Sequence, residues 1–339
     1  MVRYYRSVVS FNSALYFVPL FLIFLYFVAQ SSSSVSTQVS AFGFKNRFAK
    51  SVKRPVPKHL DNAGQLQLKA PFHRNPDYSI EDPRILRDFD LLGSAILALD
   101  PDTKRDVIRL TPQQPDTSGL IHTHEAIAIG NERKAQLLSL NFQVSFDFTI
   151  RSSPHSKFTA DGLGLFYSLN KPKLGAFMGM REDFVGIGII VDSFRNSLRR
   201  RSKDPYVYAV VNDGGMKYDA SGDGLTQQVT PGCYVEADVR TRLIVNFHDS
   251  RLNVKVERVG ANHSPYTCFT ADVELRDTAH SSPVFAEINQ PHAHLGYFTI
   301  ASQTGQFFSE HDVSHFALHI EDDLRNGDIP IIPFSNTHN

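Results

Sequence analysis

Apolar and polar residues alternate with a period of two through most of the chain beyond residue 75. In residues 141–150, Phe142, Val144, Phe146, Phe148 and Ile150 share one face, and Gln143, Ser145, Asp147 and Thr149 share the other. Leu243, Val245 and Phe247 alternate likewise, His248-Asp249-Ser250-Arg251 reverses the chain, and Leu252, Val254 and Val256 resume the pattern, which predicts a hairpin. Residues 185–191 and 206–211 are near-continuous apolar runs, as strands buried on both faces read. Residues 295–301 and 313–320 complete the set, and no helical periodicity of useful length follows residue 30. Strands joined by Gly, Asp and Asn turns predict one all-β antiparallel sandwich over 75–322. The chain has no internal repeat and no heptads, and its sequence does not define an oligomeric state.

The front of the chain obeys a different rule. Residues 14–29, ALYFVPLFLIFLYFVA, lack any strongly polar side chain; Arg3 and Arg6 precede them and a Ser-rich stretch follows. This is the layout of a secretory signal sequence over residues 1–30. The alternative is an uncleaved anchor tethering the chain to a membrane through residues 8–29, a length that reaches a span only by including Ser10, Asn12 and Ser13. Residues 31–74 are Ser-rich and then Lys-, Arg- and Pro-rich, as a linker is. Residues 323–339 read as a C-terminal tail without a further membrane span.

Charge sharpens the division. The 339 residues hold 35 Lys and Arg against 35 Asp and Glu. Eight of the basic residues and none of the acids lie in the first 60, which leaves a body with 27 basic and 35 acidic side chains. A mildly acidic body lacks the basic footprint that nucleic-acid binding needs. The two cysteines, Cys233 and Cys268, flank the hairpin; in a secreted chain they most simply form one disulfide, two buried thiols being the alternative. Asn262-His263-Ser264 is a glycosylation sequon followed by Pro265.

Candidate chemistry lies in three loops: 160–164 (ADGLG), 192–196 (DSFRN) and 218–224 (YDASGDG). Carboxylates, an amide and open carbonyls are what a hard cation with oxygen ligands requires, yet the same residues are ordinary turn formers. Asp192 and Asn196 bracket a turn and can converge on one ion with the Phe194 carbonyl between them. The histidine pairs 122/124, 292/294 and 315/319 each supply two imidazoles, short of the three or four ligands of a zinc site. Glu182 and Asp183 are adjacent on one loop, unlike the facing carboxylates of a glycosidase, and there is no nucleophile elbow, P-loop or dinucleotide fingerprint. The expectation is a binding protein and not an enzyme.

Five segments, DGLGLFYS (161–168), VGIGIIVDSFRN (185–196), VVNDGGMKYDASGDG (210–224), GYFTIASQTG (296–305) and EHDVSHF (310–316), carry a family resemblance. In this order and spacing the chain resembles the L-type, legume-like lectins of the early secretory pathway, the mannose-binding ER–Golgi cargo receptors. The resemblance implies the legume-lectin-like (concanavalin-type) jelly-roll sandwich and a disulfide at the cysteine pair. It implies Ca²⁺ held by Asp192, the Phe194 carbonyl, Asn196 and Asp223. It implies sugar binding by Asp161 and Asn196, under a loop of Gly305, Gln306 and Phe307. Asp161 would accept hydrogen bonds from two vicinal hydroxyls while Ca²⁺ fixes the Asn196 amide. Asp204 falls where the family sometimes has an additional calcium ligand.

Departures from the family pattern bear on affinity. The mannose-contacting His after the Tyr-Asp pair is Ala220 here, which removes a hydrogen bond of about 0.5–1.5 kcal/mol net. An early Ser contact falls at Asp116, with Thr117 or Ser118 as substitutes, and the usual Trp positions hold Phe142 and others. The insert Leu198-Arg199-Arg200-Arg201-Ser202-Lys203 brings four basic side chains close to the calcium loop. Ile190 occupies the position of the Glu with which plant lectins bind a transition metal, so no such second metal is expected. The resulting expectation is Ca²⁺-dependent capture of high-mannose glycoproteins in the ER, the intermediate compartment or the Golgi. The alternative is a lectin-like protein-interaction module that has lost sugar binding.

Overall fold

The computed structural model describes residues 65–73, 80–133, 137–274 and 293–320. The signal or anchor segment, the linker up to residue 64 and the tail from residue 321 lie outside the described residues. Among the described residues no helix is long and apolar enough to cross a membrane.

In chain order the elements begin with β1 (Gln65–Lys69), a short helix α1 (Pro83–Asp88), β2 (Phe89–Gly93), β3 (Ile96–Leu99), β4 (Asp106–Thr111) and β5 (Ser118–Thr123). There follow β6 (Ile127–Arg133), β7 (Leu137–Ser152), β8 (Gly162–Ser168), β9 (Leu174–Phe177), β10 (Val185–Asp192) and β11 (Tyr206–Asp213). A single 3₁₀ turn, Ala220–Gly222, precedes β12 (Cys233–Tyr234), β13 (Thr241–His248), β14 (Arg251–Arg258), β15 (Tyr266–Asp272), β16 (Ala293–Gln303) and β17 (Ser309–Ile320).

These strands form the two antiparallel layers of a legume-lectin-like sandwich. One sheet runs β12–β11–β10–β8–β16–β5–β2, the other β3–β4–β17–β7–β13–β14–β15, and β6 pairs with both β16 and β7. The alternation of the sequence explains the second sheet. Phe142, Val144, Phe146, Phe148 and Ile150 of β7 all point into one core, flanked in register by Phe247, Val245 and Leu243 of β13. The hairpin predicted around His248–Arg251 is the β13–β14 pair.

The sandwich starts earlier than the sequence pattern indicated. Residues 65–69, read as linker, form β1 and pair with His315–His319 of β17. Only Leu66 and Leu68 are buried there, and two apolar residues among Gln and Lys are too short a period-two run to be read as a strand.

The first sheet is buried on both faces, as its continuous apolar runs require. Leu163, Leu165, Ile187, Ile189, Val191 and Val207 face the inter-sheet core. Phe166, Ile190, Tyr208 and Val210 face outward into a second core, closed by Phe177 at the end of β9 and by Met178, Met180 and Phe184 from the loop that follows it. Phe166 lies over Gly164 and Gly188, where an added Cβ would stand 2.7 and 3.0 Å from its ring. Cys233 and Cys268 are joined as a disulfide, which staples β12 to β15, the edge strands of opposite sheets.

Candidate functional site

Register alone brings the chemistry-bearing loops to one rim of the first sheet. Gly162 at the start of β8 is opposite Asp192 at the end of β10 and Gln303 at the end of β16. Asp161, the 192–200 loop and the 304–308 loop therefore emerge side by side. The loops are tied to one another by backbone hydrogen bonds. Asp161 N donates to Gln303 O at 3.0 Å, and Ser193 N donates to Asp161 O at 2.9 Å. Asp116 N donates to Gly305 O at 3.1 Å, and Thr304 N to Thr117 O at 2.9 Å.

Asp161 follows a cis Ala160–Asp161 peptide and is partly exposed, with its carboxylate beside Gly305. A Cβ at position 305 would lie 3.2 Å from Asp161 Oδ2, so the glycine keeps the space above the carboxylate open. Burial, with the nearby Asp116 carboxylate adding repulsion, pushes the Asp161 carboxyl up to about 6. Asp116 thus belongs to the site as a second acid on the opposite loop, and its backbone is left-handed with φ of 52°.

The loop next to Asp161 carries most of the oxygens expected to hold a cation. Asp223 is fully buried; its Oδ1 accepts from Asn196 N at 2.7 Å and its Oδ2 from Ser197 N at 2.8 Å. The turn that delivers it is capped by Asp219, whose carboxylate accepts from Gly222 N at 3.0 Å and from the Ser221 hydroxyl. Tyr218 pins the same loop to β11 through a 2.9 Å hydroxyl contact with Tyr208. Asp192 is 2% exposed and accepts from Phe194 N at 3.0 Å and from Arg200 Nη1 at 3.1 Å. Burial pushes its carboxyl up to about 7, against the pull of Arg200 and with the repulsion of Asp223.

Asn196 completes the group. The end of its amide that is placed as oxygen stands 3.0 Å from Asp223 Oδ1 and 3.3 Å from the Phe194 carbonyl. Three oxygens that approach one another without a hydrogen between them are relieved either by a cation or by turning the amide. Two carboxylates, an amide oxygen and a carbonyl are hard oxygen donors, so the residues present fit Ca²⁺. Asp204 is exposed and its carboxylate accepts from the Ser202 hydroxyl at 2.6 Å.

Phe307 and Phe194 stack at 5.4 Å between centroids, and Phe158 meets both edge-on at 5.0 and 5.9 Å. The three rings make an apolar wall at the rim. Gln306 is exposed beside it. Ala220 is exposed on its 3₁₀ turn, and Ile190 is buried in the second core. Sequence reasoning missed Phe158, which no motif marked, and the burial of Arg200. The basic insert is not uniform: Arg199, Arg201 and Lys203 are exposed, while Arg200 is 2% exposed.

A jelly-roll sandwich with a carboxylate, an amide and a cluster of cation-seeking oxygens on one rim is the build of a lectin domain. Residues 75–325 match the model of the legume-like lectin family, and the chain belongs to that family. Its relatives are lectins and not enzymes. The canine vesicular integral-membrane protein VIP36 is 25% identical over 225 residues, 66% of this chain and 54% of that protein. Mouse protein ERGIC-53 is 25% identical over 260 residues, 75% of this chain and 44% of the relative. The chain thus spans about half the length of these relatives. Among solved structures, the Ca²⁺-bound exoplasmic/lumenal domain of VIP36 superposes with a TM-score of 0.56 at 21% identity, covering 78% of this chain and 92% of that domain. Its Ca²⁺/Man3GlcNAc-bound form gives 0.52 at 22% identity, covering 71% and 89%.

Proposed function

We propose that this domain captures high-mannose N-glycans of newly made glycoproteins in the lumen of the early secretory pathway, with Ca²⁺ holding its sugar-facing loop. The observation that carries the reading is the rim itself. Asp161 stands open beside Gly305, and the loop that carries Asp192, Phe194 and Asn196, with Asp223 bound to it, is joined to Asp161 through Ser193 N. Asp161 accepts hydrogen bonds from sugar hydroxyls, and Asn196, its amide oxygen directed at Asp223 and the Phe194 carbonyl where Ca²⁺ would be held, would keep its NH₂ group free to donate to the sugar. Gly305, Gln306 and Phe307 close over the ring. The VIP36 domain, a relative by sequence and by fold, has been solved with Ca²⁺ and Man3GlcNAc, and the names of VIP36 and ERGIC-53 point to vesicles and the ER–Golgi boundary. Residues 1–30 would deliver the chain to that lumen, or residues 8–29 would tether it there.

A second reading, a protein-interaction module on the same fold, is favoured by exposed Ala220 in place of a sugar-contacting His. A glycan array probed with the full chain in Ca²⁺ separates the two. Selective retention on high-mannose structures supports the lectin; Ca²⁺ binding with a blank array supports the module.

A further inference from the structure

Arg200 is a fully buried guanidinium on a surface loop, and its partners are unusual. Nη1 lies 3.1 Å from Asp192 Oδ1 and donates to the Phe194 carbonyl at 3.3 Å. Nη2 donates to the Asp204 carbonyl at 3.2 Å, and Nε is buried with no hydrogen-bond partner among the described residues. Two of these acceptors, Asp192 and the Phe194 carbonyl, are expected ligands of the cation. A buried carboxylate needs a compensating charge, and here the chain supplies one from four residues beyond the Asn196 of the same loop.

We propose that Arg200 is the resident cation of this site: in the ion-free state its guanidinium holds Asp192 and the Phe194 carbonyl, and Ca²⁺ binds by displacing it. The inference rests on the reading of these oxygens as calcium ligands. The two cations are alternatives because both would draw on Asp192 and the carbonyl of Phe194, and like charges held that close repel strongly in a buried setting. With Asp192 and Asp223 as the charged ligands, the guanidinium cuts the net charge offered to the ion from −2 to −1. The release is mechanically open. The 197–203 segment belongs to no strand, Leu198 within it is 90% exposed, and the unsatisfied Nε leaves the guanidinium short of its full set of bonds. Site assembly would then respond to calcium concentration through a competitor built into the chain, and the loop would keep its fold when the ion leaves.

The test compares Ca²⁺ binding by calorimetry, and melting in chelator, for the full wild-type chain, Arg200→Met and Arg200→Lys. Arg200→Met keeps the packing volume and removes the charge. It is expected to bind Ca²⁺ on the order of tenfold tighter, the consequence of deleting one charge-assisted competitor. It is also expected to melt earlier in chelator and to regain the loss when Ca²⁺ is added. Arg200→Lys keeps the competing charge and is expected to stay near the wild type. Equal or weaker Ca²⁺ binding by Arg200→Met overturns the inference. Tighter Ca²⁺ binding without mannose binding in any variant leaves it standing and removes the lectin reading. Mannose and Ca²⁺ binding that are identical in wild type and Arg200→Met remove the inference and leave the lectin. Should Arg200→Met fail to fold, phenylglyoxal labelling of the wild type decides. Arg200 is expected to be protected in chelator and modified in saturating Ca²⁺, and equal protection in both contradicts the displacement.

Discussion

Gly305 stands so close to Asp161 that a Cβ on the glycine would lie 3.2 Å from one carboxylate oxygen and 3.4 Å from the other. The rim is therefore shaped by what is missing at residue 305. Gly305→Ala is expected to weaken binding of a mannose oligosaccharide by about tenfold, the equivalent of one charge-assisted hydrogen bond. The fold is expected to tolerate the change, with stability moving by less than about 0.5 kcal/mol, since the site is at a surface loop. Glycan titration alongside urea unfolding checks both halves.

Ala220 offers a gain. It is exposed on the turn that delivers Asp223, at the position where the family pattern has a sugar-contacting His. Ala220→His is expected to strengthen mannose binding by about 0.5–1.5 kcal/mol, one net hydrogen bond. An unchanged affinity would place residue 220 away from the bound sugar.

The disulfide joins edge strands of opposite sheets across 35 residues of sequence. On the chain-entropy account its removal in Cys233→Ser/Cys268→Ser costs about 3–4 kcal/mol. The denaturant midpoint of the double variant, measured against the oxidised wild type, reads this directly.

Acid is expected to act on the last strand. His311 is fully buried, with Nδ1 2.7 Å from the Thr111 hydroxyl, and burial lowers it from 6.5 to about 3; His315 is lowered to about 4 in the same way. Below about pH 6.5 the unfolded chain takes up protons that these native imidazoles refuse. Each one therefore costs stability as the pH falls, by up to about 1.4 kcal/mol per pH unit, until its folded value is reached. The buried carboxylates Asp192 and Glu310, both raised to about 7, act in the opposite direction, because the native state binds their protons first. The comparison that isolates the imidazole is thus wild type against His311→Gln at pH 7 and pH 5. The variant is expected to lose less stability over that interval, and parallel losses would show that His311 does not carry the effect.

The parts of this molecule that were legible in sequence are those in which one local rule acts alone. Period-two alternation located β7 and the β13–β14 hairpin, and continuous apolar runs located β10 and β11, because both patterns follow directly from which faces are buried. β1 was not legible, since its two buried leucines gain their meaning only from pairing with β17. Nor was the second core, which depends on Phe177 of the short strand β9 and Phe184 of the loop after it folding back over Phe166. At the site, Asp161, Asp192 and Asp223 stood out by their motifs. Arg200 did not, because nothing in a run of three arginines tells which one is drawn inward. That choice is made by the buried carboxylate of Asp192, a long-range fact of the fold.

Mannose binding by Asp161, backed by a calcium-held Asn196, is read by calorimetric titration of the full chain with a mannose oligosaccharide, in Ca²⁺ and in chelator, repeated with Asp161→Asn. Sugar heat is expected for the wild type in Ca²⁺ and is expected to disappear in chelator and in the variant. Sugar binding that survives Asp161→Asn, or Ca²⁺ binding with no sugar heat at all, would rule out this role for Asp161.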